Sequence, residues 1–242
     1  MTTDQLIVVA GAIFLASIVY IVAGFGFALL AMPLMTIAVP VQDALVISSL
    51  LAILSTWWQA LSLRHDADRP IALRMGAAAY VGMPLGLVVL NVVDDRSLKI
   101  VLGSTVLIAT ALLARQVSFA HLGGGFDYGM GFLSGVLNTS LGTNGPPLVF
   151  GLQTRGLPPE RFRATIAVVF ASSNVFAMTL FALDGKITAD GLRAALITVP
   201  VWLSGLWLGL RIRPLIPAAR FRRLVLGLLA VSGVTAIAFA LT

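Results

Sequence analysis

The chain consists mostly of apolar runs that are each long enough to cross a lipid bilayer. A hydrocarbon core of about 30 Å takes about 20 helical residues, and runs of this length recur between residues 6 and 241. Of the 242 residues, 59% are hydrophobic and 11% are charged, far from the composition of a soluble domain. The sequence therefore predicts an all-α polytopic membrane protein with one transmembrane domain over residues 1–242.

About eight of these runs predict transmembrane helices, and two further apolar segments are too short to cross. The short segments are 27–39 and 147–153, and at 1.5 Å per residue the first covers only about 20 Å. Both are expected to be half-helices or re-entrant segments. The predicted spans are 6–23, 41–62, 71–89, 98–114, 126–141, 162–183, 191–210 and 224–241.

The two short segments occupy matching places in an internal repeat. "GFGFALLAMPL" (Gly24–Leu34) aligns with "GTNGPPLVFGL" (Gly142–Leu152), and "RSLKIVLG" (Arg96–Gly103) aligns with "RFRRLVLG" (Arg220–Gly227). We expect two homologous halves, about 1–118 and 119–242, each with a broken or re-entrant segment. Breaks at matching positions are typical of transporter binding sites. The alternative is a pair of structural kinks that bind nothing.

The polar residues within the apolar runs are uncharged donors that suit a small anion. Hydroxyl and amide groups beside the start of a helix, which carries partial positive charge, can hold an anion. For any one hydroxyl, a bond back to its own helix is the alternative, and an arginine at the edge can instead anchor to headgroups. The predicted site residues are Gly24, Gly26, Ser55, Gln59, Asn138, Thr139, Thr143, Asn144, Gly145, Ser173, Asn174 and Arg155.

Catalytic and metal-binding patterns are absent from the sequence. There is no cysteine, the two histidines lie in predicted connections, and no metalloprotease, nucleophile-elbow or phosphate-loop motif occurs. We expect no enzyme activity, no catalytic residue, no metal and no cofactor. The basic residues lie between the apolar runs, where we expect them to contact lipid headgroups. The expected partners are therefore a small anion and the bilayer, and nucleic acid is not among them.

Two further patterns concern packing and orientation. Three small-xxx-small pairs, Gly82/Gly86, Gly131/Gly135 and Gly205/Gly209, predict close helix packing. If all eight spans cross, connections 91–99 and 211–223 share one side, which holds most of the lysines and arginines. The positive-inside rule makes that side cytoplasmic and puts both termini outside. Whether the halves are parallel or inverted repeats stays open.

The paired glycine- and proline-containing motifs resemble those of the TauE/SafE family, the sulfite exporters and toluene sulfonate uptake permeases. The resemblance extends over nearly the whole chain in size, repeat plan and number of spans. The motif positions are Gly24, Gly26 and Pro33 in the first half and Gly142, Asn144, Gly145, Pro146 and Pro147 in the second.

The resemblance implies a secondary transporter that moves sulfite, an organosulfonate or another small sulfur oxyanion across the bacterial inner membrane by alternating access. An inside-negative potential favours anion efflux by about 2.3 kcal/mol per charge at 100 mV, so export is the preferred direction. Coupling to protons or to the potential, and the oligomeric state, are left open. The alternatives are an uncoupled anion channel, a non-transporting membrane scaffold subunit and an intramembrane enzyme.

Overall fold

The structure, a computed structural model, describes residues 1–23, 26–115, 124–153, 155–212, 214–215 and 218–241. All regular secondary structure in these ranges is helical, which confirms the predicted fold class. The helices are α1 (Thr3–Ala23), α2 (Phe27–Met35), α3 (Val41–Leu63), α4 (Arg69–Val92), α5 (Asp95–Arg115), α6 (Gly125–Leu141), α7 (Gly145–Gln153), α8 (Pro159–Leu183), α9 (Ala189–Ile212) and α10 (Ala218–Leu241).

Eight of these helices are long and correspond one to one to the predicted spans. Seven of them are long and apolar enough to cross a membrane. The eighth, α6, has 17 residues and ends at a break in the chain. The protein is therefore a multi-pass membrane protein.

The two short helices, α2 and α7, lie in the protein interior. Each has nine residues, which gives a length of about 13 Å. Seven residues of α2 and eight of α7 are buried. Irregular backbone at membrane depth is tolerated only where protein or a water-filled cavity surrounds it, and this burial meets that condition.

The described helices group into two compact units. Unit 1 comprises residues 1–48, 93–116 and 187–242, and unit 2 comprises residues 49–92 and 117–186. Helix α3 continues from the first unit into the second. Each unit takes helices from both predicted halves of the sequence, and the homology of those halves stays a prediction.

In unit 1, α2 runs back along α1. The ring of Tyr20 makes an edge contact with Phe27 at a centroid distance of 6.5 Å. Farther along, the side-chain amide of Gln5 donates a 2.9 Å hydrogen bond to the carbonyl of Ala38. The chain that follows α2 has thus returned to the end at which α1 begins, so α1 and α2 form a re-entrant hairpin.

Helices α3, α5 and α9 begin at the same end of unit 1. The Val41 N–H donates to Asp95 at 2.7 Å, and the Thr188 hydroxyl donates to Asp43 at 3.2 Å. Since α9 is one continuous helix, its end and the 211–223 connection lie at the other end of this unit from 91–99. The sequence analysis placed these two connections on one side, and that placement was wrong. It counted eight crossings and made no allowance for a short helix that returns along the helix before it.

Helices α5 and α10 of unit 1 run antiparallel. A side chain at Gly103 would meet Ile237, whereas one turn later Leu107 lies against Gly233. An advance along α5 therefore corresponds to a step back along α10. These are the helices that carry the matching "RSLKIVLG" and "RFRRLVLG" segments.

In unit 2, α4 and α6 pack in parallel through their glycines. A side chain at Gly131 would collide with the backbone of Met75, and one at Gly135 would collide with Ala79. Conversely, Gly82 of α4 faces the backbone of Phe132 of α6. The predicted close packing at these small-residue pairs is confirmed.

Helix α8 runs in the same direction as α4. At one end the Asp68 N–H donates to the Thr165 hydroxyl at 2.9 Å, and at the other the Asn91 amide donates to Asp184 at 2.8 Å. Helices α4, α6 and α8 therefore all begin at the same end of unit 2.

Candidate functional site

The break between α6 and α7 has a defined backbone geometry. Gly142 closes α6 in the left-handed region, with φ of 69°, a conformation that costs glycine little. Its N–H donates to the Asn138 carbonyl at 3.0 Å, and the Thr143 N–H donates to the Leu137 carbonyl at 3.2 Å. The first of these is the 5→1 bond of the αL motif at a helix end. It satisfies backbone groups of α6 and turns the chain sharply at Thr143.

After the turn, α7 runs back along α6. The Ser134 hydroxyl donates to the Asn144 carbonyl at 2.9 Å, while Gly151 near the end of α7 packs against Met130. The contacts on α6 thus move back towards its beginning as α7 advances. Helices α6 and α7 form a second re-entrant hairpin, as the sequence predicted for the short segment.

Four buried side-chain donors gather around this break and on α8. The Asn138 and Asn144 amide nitrogens and the Thr143 and Ser173 hydroxyls have no hydrogen-bond partner in the described part of the chain. Their residues are at most 8% exposed. We call these four side chains the donor cluster. Since each unpaired buried donor costs about 1–3 kcal/mol, these four side chains are the candidate ligand donors of this region.

Helix α8 brings Ser173 and its neighbour to the start of α7. A methyl group at Gly145 would lie 3.9 Å from the Phe170 ring. Ser173 and Asn174 follow Phe170 by one helical turn and so share its face. The face of α8 beside the start of α7 therefore carries Ser173, a member of the donor cluster, and Asn174, which is 5% exposed.

The backbone at the start of α7 adds little to these donors. Pro146 and Pro147 occupy its second and third positions and have no N–H. Gly145 is then the one residue of the first three that can offer a backbone N–H. The donors available at this break are therefore mostly side-chain groups.

The remaining predicted site residues have different surroundings. The Thr139 hydroxyl donates to the Met83 carbonyl of α4 at 2.6 Å, so its hydrogen is engaged in helix packing. Ser55 and Gln59 are half-buried on α3, and the Ser55 hydroxyl donates to Leu51 of its own helix at 2.8 Å. Gly26 precedes α2 in unit 1 with φ of 91°. Gly24 lies outside the described residues.

Comparison with known proteins assigns the chain to a family. The model of the family "Sulfite exporter TauE/SafE" matches residues 9–236. The chain belongs to this family. It is also 28% identical, over 165 residues, to the "Probable sulfite/organosulfonate exporter TauE" of Cupriavidus necator. The match covers 64% of each chain, less than two thirds of that relative's length. No solved structure matches the chain.

This TauE/SafE family member also contains a buried carboxylate that the sequence analysis did not select. Asp127, in the first turn of α6, is 0% exposed. Arg155 binds one of its oxygens through two nitrogens, at 2.9 and 2.7 Å. Arg74 of α4 places its Nε 3.2 Å from the other oxygen. Arg155, predicted to lie at the edge of the site, is thus held in an ion pair at the end of the hairpin.

The sequence carries only a weak signal for this cluster. Asp127, Arg155 and Arg74 each lie near the end of an apolar run, where charged residues are ordinary headgroup contacts. Charged residues at membrane depth are costly and pair with one another. The parallel packing of α4 and α6 and the return of α7 bring the three together, and neither feature can be deduced from local sequence.

Proposed function

We propose that this TauE/SafE protein is a secondary transporter that exports a small sulfur oxyanion, sulfite or an organosulfonate, across the bacterial inner membrane by alternating access. Family membership supports transport of this substrate class. The donor cluster at the α6–α7 break is the observation that carries the proposal. It supplies four buried donors that have no partner among the described residues, three at the helix break and one, Ser173, on α8.

The chemistry of the donor cluster suits a weakly held oxyanion. Amide N–H and hydroxyl groups donate to sulfur-bound oxygens, and the segment from Leu137 to Gln153 contains no charged residue. A neutral site avoids the strong attraction of a buried arginine. Transport requires binding that is favourable enough for entry and weak enough for release. We assign selectivity to Asn138, Thr143, Asn144 and Ser173.

The direction of the helices supports inverted repeats. If the two halves are homologous, α5 and α10 are counterparts, and they run antiparallel within unit 1. Counterparts related by an axis along the membrane normal would run parallel, whereas an axis in the membrane plane reverses them. Inverted repeats are a common basis of alternating access in secondary transporters.

The basic residues of unit 2 indicate how this unit is oriented in the membrane. The end at which α4, α6 and α8 begin carries six arginines, and we call it the basic end. The other end carries Lys186. By the positive-inside rule the basic end faces the cytoplasm, and α7 returns to it. The basic end is formed by Arg64, Arg69, Arg74, Arg155, Arg161 and Arg163.

The driving force follows from the charge of the substrate. The membrane potential favours anion efflux by about 2.3 kcal/mol per charge at 100 mV. The one fully buried carboxylate of unit 2 in its described part, Asp127, is paired with two guanidiniums. We therefore assign Asp127 to charge balance and assign no residue to proton transfer.

A thermal-shift screen of the purified protein against small anions tests the proposal. Ligand at 100 times its dissociation constant stabilises a protein by about 2.7 kcal/mol. We expect sulfite or an organosulfonate to raise the melting temperature, and Asn144→Ala to remove most of that rise. Thr179→Ala, which removes an exposed hydroxyl on α8, should keep it. The proposal fails if no sulfur oxyanion stabilises the wild type.

A further inference from the structure

The two arginines at Asp127 contact its carboxylate in different ways. Arg155 donates from Nε, and its Nη2 lies at 2.7 Å from the same oxygen, Oδ1. The Nε of Arg74 lies 3.2 Å from Oδ2, but the two atoms are not aligned for a hydrogen bond. Both are buried, and neither has a hydrogen-bond partner in the described residues. Asp127 is bound firmly by Arg155 and loosely by Arg74.

The cluster carries a surplus positive charge. One carboxylate faces two guanidiniums, and arginine stays protonated in proteins. Asp127 is fully buried, whereas the side chains of Arg155 and Arg74 are 20% and 36% exposed. The two guanidiniums therefore share one counterion. Arg74 is the more accessible of the two cations, and its guanidinium is the one less engaged by Asp127.

Arg74 lies close to the end of the re-entrant helix. The next residue, Met75, is fully buried and contacts both Gly131 of α6 and Gly151 of α7. Helix α7 covers about 13 Å between this end and the donor cluster. Arg74 therefore lies towards the basic end, about one short helix away from the start of α7.

We propose that Arg74 is a capture site for the substrate oxyanion at the basic end of unit 2. This inference rests on the proposed function and names the residue that receives the substrate before the donor cluster does. A planar guanidinium can donate two parallel hydrogen bonds to two oxygens of a sulfonate or sulfite group. Asp127 offsets part of the charge, which keeps this binding weak. Arg155 already binds Asp127 through two nitrogens, and we assign it to holding that carboxylate.

The test is a kinetic comparison in inside-out membrane vesicles, where the basic end faces the medium, with radiolabelled sulfite as the probe. For R74Q we expect KM for sulfite to rise about tenfold, within the range of electrostatic focusing, with kcat within about twofold of the wild type. The KM of the wild type should rise more steeply with salt than that of R74Q, because salt screens the attraction of Arg74 for the anion. R74K should keep the salt dependence and should raise KM less.

R69Q is the matched control, since Arg69 is an exposed arginine at the start of the same helix. Its KM should equal that of the wild type. If R74Q does not fold, the inference is tested by the dependence of KM on salt in R74K and in the wild type, because both proteins keep the positive charge at position 74. An equal KM in R74Q and wild type overturns the inference, as does an R74K whose KM has lost its salt dependence.

Lipid phosphates offer the same chemistry as the substrate, and the vesicle composition separates the two. A lipid anchor at Arg74 predicts an unchanged KM in R74Q and a melting temperature that depends on phosphatidylglycerol, and this result would also overturn the inference. Absence of saturable sulfite transport in the wild type would instead contradict the proposed function. The two failures are therefore distinguishable.

Discussion

The Ser134 hydroxyl donates a 2.9 Å hydrogen bond to the backbone carbonyl of Asn144, across the break between α6 and α7. Both residues are buried. This bond fixes the start of α7 against α6 and so sets the position of the Asn144 side chain, a member of the donor cluster. Ser134 thereby holds the backbone that carries the Asn144 side chain.

Replacement of Ser134 by alanine should weaken substrate binding and stability together. The Asn144 carbonyl loses its partner, which costs about 1–3 kcal/mol for a buried group. We expect a lower melting temperature and a severalfold rise in KM for sulfite, measured in proteoliposomes. Ser232→Ala, which removes a buried hydroxyl of α10 bonded to its own helix, should leave KM unchanged. An unchanged KM in Ser134→Ala would show that this bond does not position the site.

Thr139 and Thr143 should respond in opposite ways to replacement by valine. Thr139→Val removes the bond to Met83, so it should lower stability by about 1–3 kcal/mol and preserve stabilisation by sulfite. The Thr143 hydroxyl has no partner among the residues that the structure describes, so Thr143→Val should keep or raise stability and lose sulfite binding. Thermal melts with and without sulfite measure both effects. Equal responses of the two variants would remove the basis for assigning Thr143 to the site.

Two glycine-to-alanine substitutions on α6 should separate the effect of helix packing on stability from the effect of helix propensity. Gly135 faces the backbone of Ala79, so Gly135→Ala forces α4 and α6 apart and should cost about 1–3 kcal/mol. Gly129 has open space around it, and Gly129→Ala should be neutral or stabilising by about 0.5–1 kcal/mol. The two variants are compared by their melting temperatures in detergent. A stable Gly135→Ala variant would contradict the close contact of α4 and α6.

Loss of the Asp127 carboxylate should be strongly destabilising. Asp127→Asn leaves two guanidiniums without their counterion, and breaking a buried pair costs about 3–5 kcal/mol. We expect a large fall in melting temperature, partly recovered in the double variant Asp127→Asn/Arg155→Gln because one excess charge is removed. Asp66→Asn, at an exposed carboxylate of the same end, should have little effect. A wild-type melting temperature for Asp127→Asn would mean that the cluster does not stabilise unit 2.

The sequence alone predicts the helices and both short segments, because bilayer length and hydropathy strongly constrain apolar runs. It also identifies the small-residue pairs. It cannot distinguish Thr139 from Thr143, since the difference is which one faces the Met83 carbonyl of α4. The pairing of Asp127 with Arg74 and Arg155 requires contacts between distant segments. The grouping of connections was wrong because the count of crossings left out the return of α7 along α6.

Counterflow of radiolabelled sulfite in proteoliposomes tests the central claim most directly. With excess unlabelled sulfite inside, we expect wild-type uptake to saturate and to exceed that of vesicles without internal sulfite. Asn144→Asp should abolish it, because a carboxylate in the donor cluster repels the anion. Uptake that rises linearly with concentration, uptake no greater than in protein-free liposomes, or undiminished counterflow in Asn144→Asp would contradict a carrier with its binding site at the α6–α7 break.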